Sequence, residues 1–453
     1  MKKEKTINMT TGNPYSLMIR FALPLMLGNI FQQMYTVVDT MVVGKGVGVD
    51  ALAAVGATDW LNWMCIGMVV GIAQGFSIPM AQEFGAGHRE TLKKFIGNAI
   101  SLSTICAVVL FIVFELLSFP ILRLLQTPEE IMGTSMQYIG VYFAGVPIIM
   151  AYNVLAATLR SMGDGRTPLY AMIVASFTNV VLDVLFVIVL PFGVIGAAVA
   201  TLIAQAVAAG FCFLQLKRSG EIYLSKEEFR MEGALCKRLL FLSLPLAFQN
   251  AIIAVGGMLV QFVVNGFGVL FIAGYTAANK LYGILEIAAT SFGYAISTYV
   301  GQNVGAGEWK RLKSGHIAAL VVSLATSVVI AGGMLIFGTT FVSLFLSGTP
   351  EEMKLAGETA YRYLAFMSVA LPALYLLYVY RSALQGMGNT VIPLLSGILE
   401  FLLRTGMVLL LPRLIGSDGI FWAEISAWMG AAVLLGISYY VIMGTKKIKT
   451  EEA

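Results

Sequence analysis

Gln82-Glu-Phe-Gly-Ala-Gly87 closes one long apolar run of this 453-residue chain, and Gln302-Asn-Val-Gly-Ala-Gly307 closes another, 220 residues later. A basic cluster follows each: Arg89, Lys93 and Lys94 after the first, Lys310, Arg311 and Lys313 after the second. Two further matches keep the same order. Leu23-Pro24-Leu25 with Asn29 returns as Leu244-Pro245-Leu246 with Asn250, at an offset of 221. Ser161-Met-Gly-Asp-Gly-Arg-Thr-Pro168 returns as Gly386-Met-Gly-Asn-Thr-Val-Ile-Pro393, at 225. Three matches in one order and at nearly one spacing mark an internal duplication. The longest polar stretch, Lys217 to Lys237, falls between the copies. The chain therefore divides into an N-terminal half, 1–216, a linker, 217–237, and a C-terminal half, 238–453.

Composition fixes the setting of the two halves. With 58% hydrophobic and 12% charged residues, the sequence has too few charges to cover a soluble surface. It reads as an all-α polytopic membrane protein. Twelve spans fit, at 17–43, 52–80, 95–118, 134–158, 168–190, 194–216, 239–264, 270–299, 316–345, 357–383, 391–412 and 419–443. Each meets the length of about 20 residues needed to cross a bilayer core. The first run is long enough to stay as a span rather than be cleaved as a signal. Cys65, Cys106, Cys212 and Cys236 show no C-x-x-C spacing and read as packing residues.

An even number of spans puts both termini on one side. Twenty-two of the 29 Lys and Arg residues fall on that side, Lys2, Lys3, Lys5, Arg381, Lys446, Lys447 and Lys449 among them. Only Lys45, Arg123, Lys354, Arg362 and Arg413 fall opposite, and Lys280 and Arg404 lie within spans. The positive-inside rule then makes both termini cytoplasmic in a plasma (inner) membrane. Six spans per half give both halves the same orientation, so the expected architecture is two pseudo-symmetric six-helix lobes related by an axis along the membrane normal. The expected cavity lies between them.

One intramembrane acid stands out. Asp39 lies near the outer end of the first span, Leu17 to Val43, and a carboxylate there belongs against a protein-lined cavity. The pattern Gln33-x-Tyr35-x-x-x-Asp39-Thr-x-x-Val-Gly44, the two Gln-x-x-Gly-Ala-Gly ends and the two Met-Gly turns resemble the multidrug and toxic compound extrusion (MATE) transporters. The likeness runs over essentially the whole chain and is greater to the prokaryotic DinF-type branch than to the NorM-type. It implies a monomer of two lobes that exports drugs in exchange for an inward cation, with no cofactor.

Asn179 and Asp183 share one helix face, being four residues apart, and the short turn Pro191 to Gly193 brings Thr201 of the next span alongside. With Asp39 they would form an oxygen-rich cluster, and the resemblance implies that these four make the cation-coupling site. Two carboxylates in a poorly solvated place repel one another and titrate as a pair. One proton relieves that cost, and so does a sodium ion on the same hard oxygens. The alternative is that the acids merely cap or end helices. Pro24 and Pro245 would kink their spans. Gln33, Tyr35, Tyr138, Asn153, Glu286 and Glu424 are candidates for the substrate cavity, with packing as the plainer reading for the aromatic ones.

The C-terminal half lacks the acid of the first span, because the partner of Asp39 is Val260. Glu400 and Arg404 have the spacing of an intrahelical ion pair, and Glu286 and Glu424 are left open. NorM-like members carry acids in spans seven and ten. Here span seven offers Gln249 and Gln261 and span ten offers none.

Other classes fit less well. There is no G-x-x-x-x-G-K-[ST] loop for an ATP-driven pump, and His88 and His316 stand apart from any second ligand, as solvated loop residues, so no enzyme is expected. The expected partners are membrane lipid and small amphipathic or cationic substrates, with no nucleic acid. The rival is a flippase of the same superfamily for lipid-linked precursors or polysaccharide, against which only two cations lie within spans.

Overall fold

The computed structural model describes residues 6–218, 224–343 and 349–451. Lys2, Lys3, Lys5 and linker residues 219–223 lie outside the described residues, as do the side chains of Lys446, Lys447 and Lys449. The described chain is helical throughout. In the first half run α1 (Pro14–Gly46), α2 (Val49–Gly85), α3 (Arg89–Leu124), α4 (Glu129–Ala144), α5 (Val146–Ser161), α6 (Arg166–Asp183), a π-helical turn (Val184–Val189) and α7 (Gly193–Arg218). The second half holds α8 (Gly233–Asn265), α9 (Val269–Gly305), α10 (Trp309–Ser343), α11 (Pro350–Gly386), α12 (Val391–Ile415) and α13 (Asp418–Glu451).

Each of the twelve predicted spans falls on one of these helices or on a pair of them. Among the described residues ten helices are long and apolar enough to cross alone, α6 and its π turn counting as one, and α4 with α5 make an eleventh. The remaining predicted span, 270–299, falls on α9, 37 residues long, whose apolar run Lys280 and Glu286 interrupt. The span expected as one helix over 134–158 is bent by 46° between α4 and α5. Gly145 and Pro147 explain the break. A Cβ on Gly145 would lie 1.9 Å from the Leu202 side chain, and Pro147 has no N–H to continue the ladder. The outward surface stays apolar, with Leu116, Phe262 and Val329 each more than two-thirds exposed, as lipid contact requires.

The helices gather into two compact units. The first contains the residues up to Thr11, Leu23–Ala251 and Gly301–Glu308; the second contains Gly12–Ala22, Ile252–Val300 and the chain from Trp309 onward. In the first unit α2 is the central post, with Leu61, Phe76 and Met80 buried against α3 and α5. Small residues let the start of α8 join it. A Cβ on Gly75 would sit 2.3 Å from the Ser243 Cα, and one on Gly71 would sit 2.7 Å from the Leu246–Ala247 backbone. The duplicated ends also meet within this unit, each on the other. A Cβ on Gly85 would reach within 1.9 Å of the Gln302 carbonyl, and one on Gly305 within 1.8 Å of the Gln82 carbonyl.

The end of the linker is laid across α3 in the same unit. Buried Asn98 donates to the carbonyls of Glu228 and Arg230 and accepts from the Glu232 N–H at 2.7 Å. In the second unit α12 packs on α13 and α10 on α11, around the fully buried Tyr363, Tyr375 and Phe421. The Tyr375 hydroxyl is satisfied by the Leu285 carbonyl at 3.0 Å.

Candidate functional site

The register of α1 on α6 decides what Asp39 faces. Gly28 packs on Leu169, the Ser176 hydroxyl donates to the Phe31 carbonyl at 3.3 Å, and Gly46 abuts Val187. Each contact joins a residue of α1 to one 141 to 145 positions later, and Asp183 is 144 after Asp39. The two acids therefore lie alongside, within electrostatic reach of each other. Val43, four residues after Asp39 on the same face, is buried in one cluster with Val187.

Gly196 and a run of small residues bring α7 against α6. Ala197, Ala198, Ala200 and Ala204 are buried, and a Cβ on Gly196 would lie 3.0 Å from the Phe186 carbonyl. This close approach sets Thr201 beside Asn179. Asn179 Nδ2 lies 3.5 Å from Asp183 Oδ1 and 3.4 Å from Thr201 Oγ1, bridging the acid and the hydroxyl. Asp183 is the last residue before the π turn, a local widening that often accompanies functional sites. Asp39 Oδ1, Asn179 Oδ1 and Asp183 Oδ2 are buried without a hydrogen-bond donor. Three acceptor oxygens that face no donor suit a proton or a hard monovalent cation.

The other candidates divide into those near this cluster and those far from it. Tyr35 accepts from Gln205 Nε2 at 3.2 Å and, with Tyr138, lies within reach of both acids. Tyr138 also stacks on Tyr142 at 6.1 Å and packs among Val43, Ala51 and Val194. Asn153 donates to the Ile149 carbonyl of its own helix at 2.8 Å, and Gln33 is half-buried on α1. α1 and α8 run on through Pro24 and Pro245. Sequence reading passed over Gln205 and Asp59. Gln205 lies four residues after Thr201, on the same face of α7. Asp59, on α2, acts electrostatically on Asp39.

The second unit resolves its acids differently, and the expected Glu400–Arg404 pair is corrected. Arg404 pairs instead with Glu424 of α13 at 2.9 Å, and Glu400 pairs with Arg381 of α11. Sequence spacing describes one helix only, and both charges of α12 find better-placed partners on its neighbours. Arg381, on the terminus side by sequence, is 8% exposed and joins Arg404 as a buried cation. Glu286 accepts from the Tyr378 hydroxyl at 2.6 Å. His316 is likewise not a solvated loop residue: it is 4% exposed and stacks on Tyr439 at 4.0 Å and Tyr380 at 5.0 Å. A cavity of about 300 Å³ in this unit is lined by Phe271, Phe421, Glu358 and Arg362 and by none of the candidate residues.

Among the described residues no three His, Cys, Asp or Glu side chains converge as a transition-metal site would require. A bundle of membrane-length helices with a buried, uncompensated carboxylate pair belongs to the class of solute transporters. A family model described as MatE matches residues 24–185 and again 245–410, and the chain belongs to this family, whose members are transporters and not enzymes. It is 31% identical over 341 residues to the probable multidrug resistance protein YoeA of Bacillus subtilis (strain 168), covering 72% of each chain. To the probable multidrug resistance protein YpnP of the same strain it is 27% identical over 427 residues, covering 92% of each. Its fold matches the solved structure of a MOP superfamily transporter from Pyrococcus furiosus Vc1 (DSM3638) with a TM-score of 0.91, at 22% identity over 99% of both chains.

Proposed function

We propose that this integral membrane transporter is a multidrug exporter that works by antiport, taking in a proton or a sodium ion as it expels an organic cation or an amphipathic compound. The observation that carries the reading is that Asp39 and Asp183 lie within electrostatic reach of each other, Asp183 beside Asn179 and Thr201, with no basic side chain among the described residues paired to either acid. A site short of one positive charge binds the coupling ion from one side of the membrane and yields it to the other. The printed descriptions of YoeA and YpnP as probable multidrug resistance proteins support the cargo class.

The same reading takes residues 1–216 and 238–453 as N- and C-terminal lobes joined by 217–237, with both termini cytoplasmic and the protein working as a monomer. The basic excess on the terminus side and the two matched segments support it. Exchange of one proton for one monovalent cation moves no net charge, so a pH gradient alone drives it. One pH unit supplies about 1.4 kcal/mol, a tenfold accumulation. A flippase for anionic lipid headgroups would need several accessible cations, whereas Arg381 and Arg404 are committed to Glu400 and Glu424 and, of the cations placed within spans, Lys280 is left exposed.

The test is export of a fluorescent organic cation from proteoliposomes with pH and sodium gradients imposed separately, for wild type, Asp39→Asn and Asp183→Asn. Transport driven by one gradient and lost in both variants is the expected result. Indifference to both gradients would overturn the reading in favour of the flippase.

A further inference from the structure

The chain enters α1 through an irregular segment tied down by backbone hydrogen bonds. The Ile7 N–H donates to the Gly163 carbonyl at 3.0 Å. The Met9 N–H donates to Gln302 Oε1 at 2.9 Å, and the Met9 carbonyl accepts from Asn303 Nδ2 at 3.0 Å. Gln302 uses its remaining group as well, donating from Nε2 to the Ser161 carbonyl at 2.9 Å. Met9 is wholly buried. Gly163 has a φ of +86°, and a Cβ there would stand 2.1 Å from the Ile7 carbonyl, so only glycine admits the segment at this turn.

These bonds join the lead-in segment to two turns that are remote in sequence. One is the α5–α6 turn, Ser161 to Gly165, and the other is the last turn of α9. The arrangement has a counterpart in the other copy of the duplicated motif. Gln82 accepts from Arg238 Nη2 at 2.8 Å and Glu83 pairs with Arg238 at 3.8 Å, with Arg238 in the second turn of α8. The Gln302 copy thus holds the segment leading into α1, and the Gln82 copy holds the second turn of α8. The grips differ in kind. Arg238 is held by its half-exposed side chain, whereas Met9 is held by its backbone in a buried slot.

We propose that residues 7–11 form a detachable staple: while docked they hold the last turn of α9 to the α5–α6 turn, and the two turns part only when Met9 leaves its slot. The proposal rests on the alternating-access reading above for its role in transport. The hydrogen bonds of Ile7 and Met9 described above hold the strap, and each is of modest net worth. The following residue, Gly12, belongs to the second unit, where its carbonyl accepts from Arg311 at 3.0 Å. Two residues, Thr10 and Thr11, separate Met9 from Gly12.

The experiment compares full-length wild type, Asn303→Ala and a deletion of residues 2–10 in lipid vesicles by hydrogen exchange and by gradient-driven export of tetraphenylphosphonium. In both variants amides of residues 161–165 and 302–307 should exchange about tenfold faster, the loss of about one hydrogen bond's stability, and accumulation should fall at least threefold. The proposal is overturned if those amides stay as slow in the deletion as in wild type, or if they speed up while accumulation is unchanged. A wild type that exports no tetraphenylphosphonium under any gradient overturns the transport reading instead, and the exchange result still decides whether the staple exists.

Discussion

The two buried charge clusters are built on opposite plans. In the first unit Asp39 and Asp183 lie together with Asn179 and Thr201 and no basic side chain in the set. In the second, Glu400 and Glu424 each have an arginine, Arg381 and Arg404, and Glu286 has the Tyr378 hydroxyl. A duplicated scaffold has therefore kept one cluster short of a cation and neutralised most of the other. Removing either partner of a buried pair leaves a stranded charge, whereas a carboxylate pair that trades a proton or ion with water must stay unneutralised by the protein. The first cluster is suited to exchange and the second to holding helices together.

The largest test of this contrast is loss of either acid in the first cluster. Asp39→Asn and Asp183→Asn should each reduce gradient-driven export to background with little change in thermal stability, as read by efflux and melting in detergent. Arg404→Ala should do the reverse. It strands Glu424 among apolar helices and should cost about 3–5 kcal/mol of stability, seen as a lowered melting temperature and poor yield. The double variant Arg404→Leu with Glu424→Leu sharpens the point: stability should recover to near wild type with export retained. Export lost in a stable double variant would instead make the second cluster part of the transport machinery.

Thr201→Val is a finer probe. It deletes one oxygen, and a sodium ion ligated there should bind about tenfold more weakly, for a net loss of about 1.5 kcal/mol. Coupling by a proton on the carboxylates would change far less. The smallest effect concerns the linker. The Ser225 hydroxyl and N–H both donate to Glu228, which holds this exposed carboxylate below its usual range. A depressed carboxylate stabilises the fold above its unfolded range and loses that contribution as pH falls through the folded value. Protection factors across residues 224–232, which remove the intrinsic pH dependence of exchange, should stay unchanged from pH 7 to 5, where such a group remains ionised, and fall only in stronger acid.

Much of this arrangement is legible in the residues. The duplication is carried by Gln82–Gly87 and Gln302–Gly307, and span lengths follow from apolar runs that lipid contact requires. Asn179 and Asp183 share a face because the spacing is within one helix. Partners across helices were harder to read. Glu400 chose Arg381 over its own helix neighbour Arg404, and Arg404 reaches Glu424 past Gly256, whose Cβ would come within 3.4 Å of the guanidinium. His316 was misplaced because its tyrosine neighbours, Tyr380 and Tyr439, come from α11 and α13. Such contacts depend on where glycines let helices slide together, and periodicity within one helix carries no trace of that register.

The mutual contact of Gly85 with Gln302 and of Gly305 with Gln82 bears on how such a chain arises. Residue i meeting j while the equivalent of j meets the equivalent of i is the signature of an isologous interface, the kind formed by two identical subunits about a two-fold axis. Here both partners belong to one polypeptide. A six-helix ancestor pairing with a second copy of itself would present this contact twice over, and fusing the genes through a linker would preserve it while freeing one copy to lose its acid at the position of Val260 and fill its interior with ion pairs.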